Sequence, residues 1–279
     1  MSIPMPPYQA VQEQVRLALA EDVRDGDRTA SLIPESSVSR VQVVCREQAV
    51  LCGTAWFNEV FQQLDSSINI EWQAEDGAIT VADSVICEMQ GNTRALLTGE
   101  RTALNYLQTL SGTATLARSY ADVVAGTGVR ILDTRKTIPG LRLQQKYAVL
   151  CGGCYNHRIG LFDAILIKEN HIAAAGSITA AVQDAFKTSP DLEIEVEVED
   201  LSGLEEAISA GAARILLDNF SNDLLKQAVE LTAGRARLEA SGGISLDTIR
   251  AKAESGVDDI SVGALTKDVR AIDLSMLFV

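Results

Sequence analysis

The chain has 279 residues, 47% of them hydrophobic and 22% charged, with a formal net charge of −14. That length allows one large globular domain or two smaller ones, each with its own core. The acidic balance argues against nucleic acid and anionic membrane surfaces as partners, and no apolar run approaches the length of a transmembrane helix. Met1 to Pro7 has neither the basic stretch nor the apolar run of a signal peptide, and the five cysteines, an odd number, fit reduced thiols. A cytoplasmic protein is the expectation.

Residues 8–20 read as an amphipathic helix carrying Val11, Val15 and Leu19, followed by a polar, turn-rich segment to Thr29. Val38–Val44 and Ala49–Gly53 read as strands, 55–64 as a helix, and Ile68–Trp72 and Ser84–Met89 as half-buried strands. Strands and helices mix here without βα alternation, which predicts an α+β domain. Residues 92–125 are helical, with Leu97, Leu104, Leu107 and Leu110 as the apolar face. Arg101 falls on or near that face, either as a snorkelling side chain or as a cation delivered into a neighbouring site.

Past Gly126 the rhythm becomes regular. Apolar strands are expected to end at Thr134, Asn170, Glu199, Asn219, Gly242 and Gly263, with helices over 141–150, 178–186, 201–210, 224–231 and 246–253. Such βα repetition predicts a parallel sheet, and its compactness favours an incomplete, TIM-like α/β barrel over an open sheet. The domain expectation is an α+β sandwich over 1–112, a barrel over 113–266, and a tail over 267–279 packing back on the first domain.

Barrel enzymes work at the C-terminal ends of their strands. Here those ends carry Thr134, Arg135 and Lys136; Lys168; Glu197; Asp218; Ser241, Gly242 and Gly243; and Ser261 and Gly263. Cations stand on the first two strands, acids on the next two, and glycines on the last two. Glycines let backbone N–H groups approach a phosphate. Asn156-His157-Arg158 adds donors from a loop. Glu195, Glu197 and Glu199 alternate with apolar residues, which points them to one side, and Glu195 and Glu199 have no assignable task. Cys151-x-x-Cys154-x-x-His157 has part of a zinc spacing, but no second cysteine pair accompanies it, and a glycine turn with incidental thiols is the preferred reading. The cluster suits a phosphorylated sugar and a second anion, as in phosphoribosyl transfer. Schiff-base chemistry at Lys168 is an alternative, and a phosphate-ligand sensor without turnover is a third.

These segments resemble the quinolinate phosphoribosyltransferase family, also called nicotinate-nucleotide pyrophosphorylase (carboxylating). The match runs from Glu21-Asp22 and Gly26-Asp27-Arg28-Thr29 through Leu97–Asn105, Asp133–Thr137, Asn156–Arg158, Leu166–His171, Glu195–Glu197 and Leu217–Phe220 to Ser261–Thr266. The resemblance implies a pentosyltransferase that takes quinolinate and phosphoribosyl pyrophosphate to nicotinate mononucleotide, pyrophosphate and CO2 with Mg2+, in NAD biosynthesis. It implies that Thr134, Arg135, His157, Arg158 and Lys168 meet the quinolinate, with Arg101 supplied by the other subunit of a homodimer or larger assembly. Lys136 and Lys168 would lie near the pyrophosphate or reacting carboxylate. Glu197 and Asp218 would face the ribose hydroxyls and metal, while Ser241–Gly243, Ser261 and Gly263 would hold the 5′-phosphate. The Cys154-Tyr155 pair departs from the small residues usual before Asn-His-Arg.

Overall fold

The structure is a computed structural model, and it describes residues 3–279. Met1 and Ser2, part of the N-terminal signal-peptide reading, lie outside the described residues. In chain order the elements are α1 (Tyr8–Asp22), β1 (Val38–Cys45), β2 (Ala49–Val50), α2 (Thr54–Leu64), β3 (Asn69–Trp72), β4 (Ile79–Thr80), β5 (Ser84–Asn92) and α3 (Thr93–Val123). Then come β6 (Arg130–Leu132), α4 (Arg142–Cys151), β7 (Ile165–Ile167), α5 (Glu169–Ala175), α6 (Ile178–Thr188), β8 (Ile194–Val198) and α7 (Leu201–Ser209). The chain finishes with β9 (Arg214–Asp218), α8 (Asn222–Thr232), β10 (Arg237–Ser241), α9 (Leu246–Ala253), β11 (Asp259–Ser261), α10 (Ala264–Lys267) and β12 (Leu274–Phe278).

The chain forms two compact units. The first comprises Met1–Arg118, Leu143–Gly153 and Asp268–Val279. Its four-stranded sheet has the order β12-β1-β5-β3, antiparallel throughout. Helices α1, α2 and α3 supply Val11, Val15, Trp56, Phe57, Phe61, Leu96, Leu104 and Leu107 to its core. Burial of a phenylalanine such as Phe57 or Phe61 stabilises by about 1.5–3 kcal/mol. Gly99 permits α3 to lie against α2: a Cβ there would meet Phe61 at 2.6 Å and Leu64 at 2.9 Å. Asp27 belongs to this frame. It accepts the Thr29 and Ala30 N–H groups and the Thr98 hydroxyl, at 2.8–2.9 Å. The Ala30 hydrogen bond leads in holding its pKa below the ordinary range against burial.

The second unit comprises Ser119–Arg142 and Cys154–Lys267. Its six strands are all parallel, in the order β6-β11-β10-β9-β8-β7. The outer edge of β6 is met by Tyr155, which bridges Leu132 and exchanges hydrogen bonds with Ile131 and Asp133 at 2.8 and 3.0 Å. The sheet is strongly curved: residues at the ends of β6 and β7 line one cavity together with residues of β8 to β11. Mixed α/β architecture, with an antiparallel first unit and a parallel second, is therefore the fold the pattern predicts.

Some elements differ from the sequence reading. The strand expected over Ala49–Gly53 stops at Val50, because the N–H groups of Gly53 and Thr54 turn onto the Asp76 carboxylate at 3.1–3.2 Å and start α2. The strand expected to reach Asn170 stops at Ile167. Lys168 donates its N–H to His171 Nδ1 at 3.0 Å, and this local bond turns the chain directly into α5. Among the described residues no helix is long and apolar enough to cross a membrane.

Candidate active site

The cavity at the C-terminal ends of the parallel strands measures about 260 Å³. β6 leads into Thr134, Arg135 and Lys136 on its wall, and the loop before β7 brings His157 and Arg158. Leu166 and Lys168 enter from β7 and its end, Glu197 from β8, Leu216 from β9, Glu239 and Ser241 from β10, and Ser261 from β11. Nine of the expected site residues are thus assembled: Thr134, Arg135, Lys136, His157, Arg158, Lys168, Glu197, Ser241 and Ser261. The apolar side chains of Leu166 and Leu216 complete the lining and suit a flat ring.

The cations are set for an anion. Arg135 Nε is buried without a hydrogen-bond partner among the described residues. Arg158 Nη1 donates to the Ala164 carbonyl at 3.3 Å. Burial, then the Arg135 guanidinium, push the Arg158 pKa below its ordinary value. A guanidinium whose charge is disfavoured by burial and by a neighbouring guanidinium is one that a ligand carboxylate relieves. Lys168 Nζ is paired with Glu197 Oε2. An ion-paired ammonium is a poor nucleophile, which weighs against the Schiff-base alternative.

Asp218, Gly242, Gly243 and Gly263 stand beside the cavity rather than in its lining. Asp218 pairs with Ser241 across β9 and β10, and its Oδ2 accepts from Asn219 Nδ2 at 2.8 Å. Gly242 has φ +91°, and a Cβ there would strike Asn219 Oδ1 at 2.0 Å, so this turn requires glycine on both counts. Gly263 serves a side chain: its missing Cβ makes room for the Lys136 stem. Lys136 is tied further by its N–H to Thr134 Oγ1 at 3.1 Å and by its carbonyl to Thr266 Oγ1 at 2.8 Å.

Arg101 belongs to the first unit and is exposed, not on the apolar face. Of the expected face, Leu104, Leu107 and Leu110 are buried as read, together with Leu96 and Ala103, while Leu97 is only half-buried at the edge of the stripe. The Cys151, Cys154 and His157 donors do not form one cluster among the described residues. Cys151 groups with Cys52 and Asp76, and His157 with Glu195 and Glu239. The Cys154-Tyr155 departure anchors the loop. Cys154 is buried, and Tyr155 pairs with β6 and stacks under Arg130 at 5.4 Å.

The sequence reading leaves Glu195 without a task, and its network with Arg214, Glu239 and Asp259 escaped that reading. Glu195 accepts from His157 Nε2 at 2.8 Å and from Arg214 Nε at 3.0 Å. Burial opposes its charge, but those two partners outweigh it and lower its pKa. Arg214 also pairs with Glu239 and, at 3.0 Å, with Asp259. Burial likewise opposes a charge on His157, yet Glu195 and Glu239 hold its pKa above the ordinary value. The Arg158 N–H reaches His157 Nδ1 at 2.8 Å, which requires a lone pair there and marks the Nε2–H tautomer. A single charge within an otherwise apolar strand, as in Arg214-Ile-Leu-Leu, was the available signal.

Residues 113–277 match the family model described as quinolinate phosphoribosyl transferase, C-terminal domain, and residues 27–111 match its N-terminal domain. The chain belongs to the quinolinate phosphoribosyltransferase family. A Bacillus subtilis (strain 168) relative, named probable nicotinate-nucleotide pyrophosphorylase (carboxylating), is 42% identical over 257 residues, covering 92% of this chain and 89% of its own. A relative of the same name from Synechocystis is 40% identical over 279 residues, covering 99% and 95%. The solved structure of the nicotinate-nucleotide pyrophosphorylase from Francisella tularensis superposes with a TM-score of 0.97 at 47% identity, covering 100% of this chain and 99% of that one. The family resemblance carried by the motifs, and the fold it implies, are borne out.

Proposed function

We propose that this chain transfers phosphoribose from phosphoribosyl pyrophosphate to quinolinate and releases CO2, giving nicotinate mononucleotide and pyrophosphate for NAD biosynthesis. The observation that carries this reading is the cavity itself. It gathers Arg135, Lys136, Arg158 and Lys168 around an apolar patch of Leu166 and Leu216. An aromatic dianion needs that combination, whereas a monocarboxylate needs fewer cations.

In this reading Thr134, Arg135, His157, Arg158 and Lys168 surround the quinolinate carboxylates. Lys136 and Lys168 stabilise the charge that develops on the departing pyrophosphate, an electrostatic contribution that requires no protein nucleophile. Glu197 and Asp218 face the ribose hydroxyls, and Ser241–Gly243, Ser261 and Gly263 receive the 5′-phosphate. The pyridine nitrogen forms the new bond to the ribose carbon as the bond to pyrophosphate breaks. The resulting pyridinium takes the electron pair left when the 2-carboxylate departs as CO2, and a proton then replaces it on the ring.

The donor set fits a magnesium ion. Glu197 Oε1 and Asp218 Oδ1 carry no hydrogen bond among the described residues, and Mg2+ favours one or two carboxylates plus substrate phosphate. When bound, Mg2+ supplies charge neutralisation at the phosphate oxygens.

We also place the protein in the cytoplasm as a homodimer with shared sites. Its exposure on α3 leaves Arg101 available to a second copy. Arg101→Ala and Lys168→Ala subunits, mixed with exchange confirmed, are then expected to recover part of the lost activity, and no recovery overturns the shared site.

The primary test follows CO2 and nicotinate mononucleotide together from quinolinate, phosphoribosyl pyrophosphate and Mg2+. Equal release, abolished by chelation and restored by Mg2+, is the expected result. Neither product, with a folded protein, overturns the reading.

A further inference from the structure

α/β barrels usually fill their interior with layers of apolar side chains. Here charge occupies that layer. From β6, β8, β9, β10 and β11 come Arg130, Glu195, Arg214, Glu239 and Asp259: Arg214 pairs with all three acids, and Asp259 pairs with Arg130 as well. A buried ion cluster is weak grounds for stability, because apolar replacements are often neutral or better. What distinguishes this one is where it ends. One member, Glu239, reaches the cavity lining, and another, Glu195, is nearly inaccessible and holds a residue of the cavity wall.

That residue is His157, whose backbone N–H and both ring nitrogens have partners. Its backbone N–H donates to Asp133 Oδ1 at 2.9 Å. Nδ1 accepts from the Arg158 N–H at 2.8 Å, and Nε2 donates to Glu195 Oε2 at 2.8 Å, with Glu239 Oε1 at 3.5 Å. Both ring nitrogens are committed, so the ring borders the cavity without aiming a free N–H into it. Its hydrogen-bonding effect is exerted on the main chain of Arg158. Arg158 faces Arg135, and like charges drift apart unless the backbone is held.

We propose that Glu195, oriented by Arg214, is a positioning residue for the acceptor site: it locks His157, and His157 locks the main chain that presents Arg158. Glu195 is suited to this by its two oxygens. One takes the imidazole Nε2–H and the other the Arg214 guanidinium at 3.0 Å. Arg214 is in turn held by Glu239 and Asp259, so the carboxylate cannot rotate away. The proposal rests on Arg158 belonging to the quinolinate pocket.

The test is steady-state kinetics on Glu195→Ala, Glu195→Gln and Arg158→Ala, with both substrates varied and Tm measured alongside. Glu195→Ala is expected to raise KM for quinolinate roughly 10- to 100-fold while KM for phosphoribosyl pyrophosphate stays unchanged. Glu195→Gln keeps one oxygen for the imidazole N–H but turns an amide NH2 toward Arg214, and is expected to recover only part of that loss. If Arg158→Ala raises KM for quinolinate and Glu195→Ala does not, the positioning role is overturned and the pocket stands. If Arg158→Ala leaves it unchanged, the pocket reading itself is overturned. Equal damage to both substrates with a lowered Tm makes Glu195 structural and also overturns the proposal. Should Glu195→Ala not fold, Arg214→Lys keeps the charge but loses the fork that orients Glu195, and the same split in KM is read on it.

Discussion

A Cβ on Gly263 would stand 3.0 Å from Cδ of Lys136, so this glycine sets where the lysine stem can lie. Its backbone is not in the left-handed region, and alanine is therefore tolerated by the main chain. Gly263→Ala is expected to leave Tm unchanged and to lower kcat, by up to about 10²-fold if the ammonium moves by about an ångström. Parallel melting and turnover measurements check this, and an unchanged kcat would sink it.

The Arg135 and Arg158 pair predicts a trade between stability and binding. Burial and the Arg135 charge disfavour the charged form of Arg158, and Arg135 Nε lacks an acceptor. Arg135→Met is expected to keep or raise the Tm of the ligand-free protein and to abolish the thermal shift given by quinolinate alone. Differential scanning fluorimetry reads both. A variant that melts earlier yet still responds to quinolinate contradicts the assignment.

Glu239 makes stability depend on pH. Burial, then the Glu195 carboxylate, push its pKa up to about 7. An unfolded glutamate titrates at about 4.3. Between those values the folded chain binds a proton that the unfolded chain does not. The contribution of Glu239 to stability therefore falls as pH rises through that window and is flat above it. His157, with its raised pKa, adds a loss of the same sign as pH rises through its folded value. Glu239→Gln is expected to gain on the wild type by on the order of 1–3 kcal/mol between about pH 4 and about pH 8, measured by urea unfolding. A gap that stays constant with pH refutes this.

In the first unit, a Cβ on Gly112 would meet the Arg270 carbonyl oxygen at 2.2 Å. That atom is backbone and cannot rotate aside. The neighbouring Ile272 N–H to Gln108 bond, 3.1 Å, and the β12–β1 pairing hold the segment in place. Gly112→Ala is expected to cost about 1–3 kcal/mol, with faster amide exchange over Leu274–Phe278. Unaltered exchange there would show that the tail adapts without loss.

The parallel unit was legible because buried parallel strands are short apolar runs, and Glu197, Asp218, Ser241 and Gly263 recur at nearly even spacing. The cations and acids at the strand ends followed from that register. Other features were hidden by physics that acts at a distance or very locally. The Glu195–Arg214 and Arg130–Asp259 bonds join residues 19 and 129 positions apart, and no local period displays such pairings. The early end of β7 turns on one side-chain bond between Lys168 and His171. Cys151 and His157 are close in sequence, yet each meets different neighbours.

The charged interior has a further consequence. Mobile ions screen solvent-exposed charges within a Debye length of about 8 Å in physiological salt, and buried pairs far less. Glu195, Glu239 and Asp259 lie out of reach of such ions, whereas Lys136 and Lys168 meet solvent. Rising ionic strength will thus loosen the grip on anionic substrates at the mouth while the lattice beneath keeps its geometry. Capture and alignment are tuned by separate electrostatic regimes within one curved sheet.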